Sequence, residues 1–125
     1  MWMSNPNILI LDDEKCVTDL YSDFLENESF TLQACNCPQR AWKFIDTNVY
    51  DLIITDLKMP RLDGDEFLKI IRNNKNNCST PVIIATGAAS KFHKSLARTD
   101  ENISLIEKPF SEELFRSLIK SIIKT

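Results

Sequence analysis

Two apolar runs in the chain lead into aspartates. Residues 8–11, ILIL, are followed by Asp12 and Asp13, and residues 52–54, LII, are followed after one threonine by Asp56. Such short runs of apolar residues are typical of strands that are buried on both faces, as in a parallel sheet. Since parallel strands end at the same edge of a sheet, where open α/β sheets bind ligands, we expect the three carboxylates to meet in one acidic pocket.

An acidic pocket of this kind predicts a bound cation, because close carboxylates repel one another. A hard divalent ion with oxygen ligands fits best, and Mg2+ commonly takes one or two carboxylates together with water and a phosphate. We expect Asp12 and Asp13 to hold Mg2+, and the backbone carbonyl of Lys58 is a further candidate ligand.

The rest of the chain alternates between strand and helix patterns five times, without a repeat or a low-complexity linker. This order predicts an α/β fold, a (βα)5 parallel sheet with helices on both faces, and the length of 125 residues suits one domain over residues 1–125. The predicted strands cover residues 8–11, 30–35, 52–56, 81–86 and 103–106. The predicted helices cover residues 14–28 and 88–98, begin at Pro38 and Ser111, and include one around Phe67.

Two of the helices carry apolar faces at helical spacing. For the first helix the predicted face is Cys16, Val17, Leu20, Tyr21, Phe24 and Leu25. For the last helix it is Leu114, Leu118, Ile119, Ile122 and Ile123. Ser111 is a favourable N-cap for the last helix.

Composition excludes several classes of protein. The formal net charge of -3 does not indicate binding to nucleic acid or to an anionic membrane, and no apolar stretch approaches the length of a membrane span. The first residues, MWMSNPN, lack the features of a signal peptide, so we expect a cytoplasmic protein. The four cysteines lack redox or paired zinc-ligand spacing, which predicts reduced thiols, and a single histidine makes a Ser-His-Asp triad hard to build.

Further polar residues follow the last two predicted strands. Thr86 ends the fourth strand, and Lys108 with Pro109 follows the fifth, so we expect them at the same edge as the aspartates. A carboxylate can attack phosphorus and form an aspartyl-phosphate, and this transfer needs its developing negative charge neutralised. Asp56 stands alone at its strand end and is the candidate nucleophile, while Lys108 and Thr86 can bind phosphoryl oxygens.

These motifs together resemble the receiver domains of two-component response regulators. ILILDDE carries the acidic pair, DLIITDLKMPRLDG the phosphoacceptor and its loop, VIIATG the threonine, and IEKPF the lysine. Each string alone is weakly specific, but their order and their places at strand ends make the combination specific. The resemblance covers residues 7–124 and implies a flavodoxin-like, doubly wound five-stranded sheet.

The resemblance also implies roles for single residues. Asp56 would accept a phosphoryl group from a histidine on a sensor kinase or phosphotransfer protein, or from a small donor such as acetyl phosphate. Asp13, Asp56 and the Lys58 carbonyl would bind Mg2+ directly, and Asp12 would act largely through water. Thr86 would move toward the phosphoryl group and Lys108 would pair with it. The bond between Lys108 and Pro109 would be cis.

The match departs from the family in the segment that commonly signals to partners. Leu105 stands where family members often carry a tyrosine or phenylalanine, and SLARTDEN replaces a frequent small-residue turn. We therefore expect an unusual output surface on the last strand and last helix, where an output domain or a partner protein would bind. Lys58 is two residues after the phosphoacceptor, and we expect its side chain either to shield the phosphoryl group from water or to be an ordinary solvated lysine.

Three alternatives compete with the phosphoacceptor interpretation. Asp12 and Asp13 can be helix caps only, but this leaves Asp56, Thr86 and Lys108 at the same edge unexplained. A haloacid dehalogenase-type phosphatase also uses an aspartyl-phosphate, but its D-x-D motif differs from the DDE found here. A pseudo-receiver, a binding module that is not phosphorylated, would keep the fold. Either a stand-alone receiver or part of a longer protein is compatible with the sequence.

Overall fold

Strands and helices alternate in the computed structural model, which describes residues 5–56, 64–87 and 91–123. The strands are β1 (Asn7–Leu11), β2 (Thr31–Cys35), β3 (Leu52–Thr55), β4 (Val82–Thr86) and β5 (Ile103–Glu107). The helices are α1 (Lys15–Phe24), α2 (Pro38–Thr47), α3 (Gly64–Asn73), α4 (Lys91–Thr99) and α5 (Glu112–Ile123). The predicted (βα)5 order is confirmed.

All five strands are parallel and form one sheet in the order β2-β1-β3-β4-β5. The chain runs from β1 outward to β2 and then returns to the other side of β1 as β3. In an open α/β sheet, such a reversal opens a crevice beyond the carboxyl ends of the two strands. The register pairs Leu11 with Thr55, so Asp12 and Asp56 leave the sheet as neighbours.

Two apolar clusters, one on each face of the sheet, hold the helices in place. Since alternate strand residues point to opposite faces, Leu9 and Leu11 belong to one cluster and Ile8 and Ile10 to the other. The first cluster includes buried residues of α2 and α3, namely Ala41, Ile45, Phe67, Leu68 and Ile71. The second includes buried residues of α1 and α5 and of the turn after α1, namely Tyr21, Leu25, Phe115 and Ile119. β1 and β3 are thus buried on both faces as predicted, and β2 is a half-exposed edge strand.

The apolar face predicted for α1 is partly wrong. Cys16 and Leu20 are exposed, and Thr18 is buried instead. Burial of this polar residue is compatible with its chemistry, because its hydroxyl donates a hydrogen bond of 3.0 Å to the Lys15 carbonyl. The helix also ends at Phe24 rather than at residue 28, since tighter turns follow it.

The last helix begins as predicted but turns a different residue inward. The Ser111 hydroxyl accepts a hydrogen bond of 3.0 Å from the Leu114 amide, which confirms the N-cap. Leu114 itself is 53% exposed, whereas Phe115 is fully buried against α1. The prediction for Leu114 was therefore wrong, because the aromatic ring of its neighbour fills the space between the two helices.

Other sequence predictions concern the cysteines, the fourth helix and membranes. All four cysteines are free thiols, as predicted. α4 covers Lys91–Thr99, and the predicted start at residues 88–90 lies outside the described residues. No helix in the part of the chain that the structure describes is long and apolar enough to cross a membrane.

A buried asparagine connects the loops at the amino-terminal edge of the sheet. The Asn77 amide nitrogen donates to the carbonyls of Ile45 and Asn48, both at 2.8 Å. Its amide oxygen accepts from the Tyr50 amide at 2.9 Å and from the Thr80 hydroxyl at 3.1 Å. Asn77 is fully buried, and its hydrogen bonds to Ile45, Tyr50 and Thr80 are buried with it.

Asn77→Ala should therefore lower the free energy of unfolding by about 2–4 kcal/mol, because several buried polar groups lose their partners. The exposed neighbour Asn76 provides the control, since Asn76→Ala should change the stability by less than about 0.5 kcal/mol. Urea unfolding of both variants measures the difference. Equal losses for the two variants would contradict the role given to Asn77.

Candidate functional site

One lysine connects two aspartates at the carboxyl edge of the sheet. The Lys108 ammonium lies 3.1 Å from Oδ2 of Asp12 and 3.1 Å from Oδ2 of Asp56. These residues follow β5, β1 and β3, so the contact joins the ends of three strands that are distant in sequence. The expected convergence of Asp12, Asp56 and Lys108 is confirmed by these contacts.

Asp12 is held on several sides. Its amide donates to the Cys35 carbonyl at 3.2 Å, and its Oδ1 accepts from the Glu14 amide at 3.0 Å. The Asp12 side chain is only 4% exposed, compared with 14% for Asp56. Asp12 thus binds an amide near the start of α1, as the capping alternative requires, but its other oxygen binds Lys108. Capping alone does not account for the residue.

Lys108 is positioned through its backbone as well as its side chain. Its amide donates to the Thr86 carbonyl at 2.8 Å, which brings the ends of β4 and β5 together. The peptide bond between Lys108 and Pro109 is cis, as predicted. Thr86 is fully buried at the end of β4, at the edge where the sequence predicts it.

Burial and charge act in opposite directions on this group of residues. Burial raises the pKa of Asp12, although the Glu14 amide and the Lys108 ammonium both favour its ionised form. Burial also disfavours the charged form of Lys108, but its hydrogen bonds to Asp56 and Asp12 outweigh this and raise the pKa of the ammonium. Lys108 therefore stays protonated at neutral pH, whereas burial makes the charged form of Asp12 costly.

Of the other two predicted metal ligands, Asp13 and Lys58, the structure describes only Asp13. Asp13 is exposed and follows Asp12 directly. Lys58, the predicted carbonyl ligand, lies outside the described residues. Within residues 5–56, 64–87 and 91–123, no three acidic, cysteine or histidine side chains are grouped closely enough to hold a metal ion.

The donor chemistry of this edge nevertheless fits Mg2+. Asp12, Asp13 and Asp56 offer carboxylate oxygens, the ligands that a hard cation prefers, and Mg2+ requires only one or two of them besides water. Among the described residues, two carboxylates, those of Asp12 and Asp56, share the one ammonium of Lys108, and the resulting excess of negative charge is one that a divalent cation would balance.

Sequence reasoning missed one residue that supports the site. The Asn36 amide nitrogen lies 2.7 Å from the Asp12 carbonyl oxygen and 3.0 Å from the Thr18 hydroxyl oxygen. It therefore connects the turn after β1 with the first helix. The available signal was its position, because Asn36 directly follows β2 and so lies at the same edge of the sheet as the aspartates.

The fold and this acidic edge with its lysine define the class of protein, and comparison with known proteins gives the family. The family model of the response regulator receiver domain matches residues 8–120. The chain therefore belongs to the response regulator receiver domains of two-component systems, signalling modules with a flavodoxin-like fold. This membership does not support the alternative of a haloacid dehalogenase-type phosphatase.

Three similar proteins illustrate the match. The chain is 29% identical over 120 residues to the alkaline phosphatase synthesis transcriptional regulatory protein PhoP of Bacillus subtilis, covering 96% of this chain and 49% of PhoP. Among solved structures, the receiver domain of Francisella response regulator 1452 is 32% identical, with a TM-score of 0.82 and coverage of 96% and 98%. The receiver domain of sensor histidine kinase PA1611 from Pseudomonas aeruginosa, solved with magnesium in its active site cleft, shares the fold at 20% identity, with a TM-score of 0.83 and coverage of 97% and 99%. The chain spans about half the length of the curated relatives that it matches.

The raised pKa of Asp12 predicts how a neutral substitute will behave. Because the folded chain binds this proton more tightly than the unfolded chain does, wild-type stability should gain from Asp12 as the pH falls from 7 through the raised pKa. Asp12→Asn lacks the buried charge at every pH. We expect the variant to be more stable at pH 7 by about 0.5–2 kcal/mol, with an advantage that shrinks as the pH falls toward 3.8, the ordinary pKa of aspartate.

Urea unfolding between about pH 4 and pH 7, the range in which carboxylates titrate, measures the difference in free energy of unfolding between wild type and Asp12→Asn. A chelator is present in all samples to exclude bound metal. Asp23→Asn removes an exposed carboxylate from α1 and controls for the change in net charge. A variant that is less stable than wild type at pH 7, or a difference that does not depend on pH, would contradict the account of Asp12.

Proposed function

We propose that the chain is a working phosphoacceptor and that Asp56 takes a phosphoryl group from a phosphohistidine on a sensor histidine kinase or a histidine phosphotransfer protein. The observation that supports this most is the Lys108 ammonium between Asp12 and Asp56, 3.1 Å from an oxygen of each. Of the two carboxylates, Asp56 is the more exposed, so a donor reaches it more easily. Asp56 is accordingly the proposed nucleophile.

The transfer is a single exchange of bonds at phosphorus. A carboxylate oxygen of Asp56 attacks the phosphorus, the bond from phosphorus to the histidine nitrogen breaks, and the imidazole leaves with that electron pair. Negative charge spreads over the three equatorial oxygens in the transition state. The Lys108 ammonium and the Thr86 hydroxyl are the proposed groups that bind these oxygens, and both belong to strand ends beside Asp56. The protein catalyses only its own phosphorylation and dephosphorylation.

The proposed metal is Mg2+, held by Asp12, Asp13 and Asp56 together with the Lys58 carbonyl. When bound, it supplies positive charge that offsets the repulsion between the carboxylates and an incoming phosphate. The carboxylate-rich edge supports this assignment, and the Pseudomonas receiver with magnesium in its active site cleft has the same fold. The chain's own residues contribute to the position of Asp56 through the sheet register and to that of Lys108 through the Thr86 carbonyl.

Receiver domains interact with sensor kinases and with output domains. For this chain the proposed output surface comprises β5 and α5, where phosphorylation favours a state that binds the partner better. Leu105 is half-buried against the core, while Leu114 is exposed. An aliphatic residue at position 105 supports a response that does not depend on an aromatic side chain changing rotamer. We infer no direct binding of nucleic acid by this domain, in keeping with its formal net charge of -3.

Incubation with acetyl phosphate and Mg2+ tests the proposal through the intact mass of the protein. We expect wild type to gain the mass of one phosphoryl group, and Asp56→Asn and chelator-treated wild type to gain none. Asp23→Asn should behave as wild type, because its carboxylate is exposed on α1. Absence of a gain in wild type, including with a phosphorylated histidine donor, would contradict the proposal and favour the pseudo-receiver alternative.

Removal of one carboxylate should weaken Mg2+ binding. Asp13→Asn keeps the size of the side chain but loses its charge, and we expect at least about a tenfold rise in the dissociation constant. Calorimetric titration with MgCl2 measures it. Asp19→Asn, an exposed aspartate of α1, is the matched control. Equal affinities for the two variants would contradict the assignment of Asp13.

A further inference from the structure

Tyr21 lies in an aromatic cluster directly behind the lysine of the site. It is only 4% exposed, although its residue type carries a polar hydroxyl. Its ring centroid is 4.9 Å from that of Phe115 and 5.6 Å from that of Phe110. Phe110 in turn stacks on Phe115, with centroids 5.3 Å apart and an interplanar angle of 15°. The position of the Tyr21 ring is therefore fixed by α5 and by the loop that precedes it.

The alternation of residues in the sheet places Lys108 on the same side as Tyr21. Ile10 and Ile106 both belong to the apolar cluster that α1 and α5 cover. Asp12 and Lys108 come two residues after them, and alternate residues of a strand point to the same face. Tyr21 and Lys108 also line one cavity of about 230 Å3 between α1 and the loop after β5. Tyr21 and Lys108 thus reach the same cavity from adjoining elements.

The Lys108 ammonium has three N–H donors, and two of them are directed to Asp12 and Asp56. Burial has the largest effect on the Tyr21 phenol, and the Lys108 charge and the two carboxylates also act on it through space, so the phenol lies near all three groups. Burial raises the pKa of Tyr21 to about 12, so the phenol is neutral at physiological pH and its oxygen is available as an acceptor. A partly buried ammonium with a third acceptor is better satisfied than one with two.

We propose that Tyr21 is a positioning residue for phosphoryl transfer, whose hydroxyl accepts a hydrogen bond from Lys108 and holds the ammonium against Asp56. The residue touches neither Asp56 nor the phosphoryl group in this role and acts through Lys108. Its rigid ring, held by Phe110 and Phe115, restricts where the ammonium can move. Such restriction lowers the reorganisation needed when charge develops at the phosphoryl oxygens.

The inference rests on the proposed function of Asp56 and is tested with a matched pair of variants. Tyr21→Phe removes one hydroxyl and keeps the ring, and we expect the rate constant for phosphorylation by acetyl phosphate to fall about three- to tenfold. Tyr50→Phe removes the hydroxyl of another buried tyrosine, which lies in the cluster on the opposite face and should leave the rate unchanged. A wild-type rate in Tyr21→Phe would overturn the inference while leaving the phosphoacceptor proposal intact.

A second measurement does not depend on phosphorylation. If Tyr21 acts through Lys108, Tyr21→Phe should lower the urea midpoint of unfolding in wild type but not in a Lys108→Ala background. Equal shifts in both backgrounds would mean that the hydroxyl has only a general packing role, and this would overturn the inference. If wild type itself did not accept a phosphoryl group, the proposed function would fail. The unfolding of wild type, Tyr21→Phe, Lys108→Ala and the double variant would still decide whether Tyr21 and Lys108 are coupled.

Discussion

The contact of the Lys108 ammonium with Asp12 and Asp56 is the interaction on which the site depends. Each of the three residues follows a different strand, so the contact exists only because parallel strands deliver their ends to one edge. The pairing of Leu11 with Thr55 places Asp12 beside Asp56. The hydrogen bond from the Lys108 amide to the Thr86 carbonyl fixes the backbone of Lys108 at the end of β4. A one-residue slip in any of these strands would turn its side chains to the opposite face and separate the charges.

The same arrangement serves the proposed function and lowers the stability of the fold. A buried carboxylate is costly, and neither Lys108 nor the Glu14 amide fully offsets that cost for Asp12, whose pKa remains raised. The two apolar clusters supply the stability that allows such a site to persist. The free energy spent on burying Asp12 keeps the carboxylates and the ammonium close together and poorly hydrated, where charge interactions are stronger than in bulk water.

The sequence predicts the part of the structure that follows from periodicity and strand ends. The apolar runs before Asp12 and Asp56 specify buried parallel strands, and polar residues after strands specify the edge, so the fold and the convergence of Asp12, Asp56 and Lys108 could be predicted. Periodicity does not fix the rotation of a helix about its axis to within one residue, because neighbouring apolar residues compete for the core. Leu114 and Phe115 are such neighbours, and the larger aromatic side chain is the one that is buried. The bonds of Asn36 to the Asp12 carbonyl and to Thr18 join loops that only the folded chain brings together.

A crystal structure of the protein with Mg2+ and beryllium fluoride, an analogue of the phosphoryl group, would show directly whether Asp56 is the phosphoacceptor. We expect the beryllium to be bonded to a carboxylate oxygen of Asp56, Mg2+ to lie among the carboxylates of Asp12, Asp13 and Asp56, and the Lys108 ammonium to contact a fluorine. Beryllium fluoride bonded to another residue, or Lys108 remaining between Asp12 and Asp56 without contacting the bound analogue, would contradict the assignment of Asp56 and Lys108.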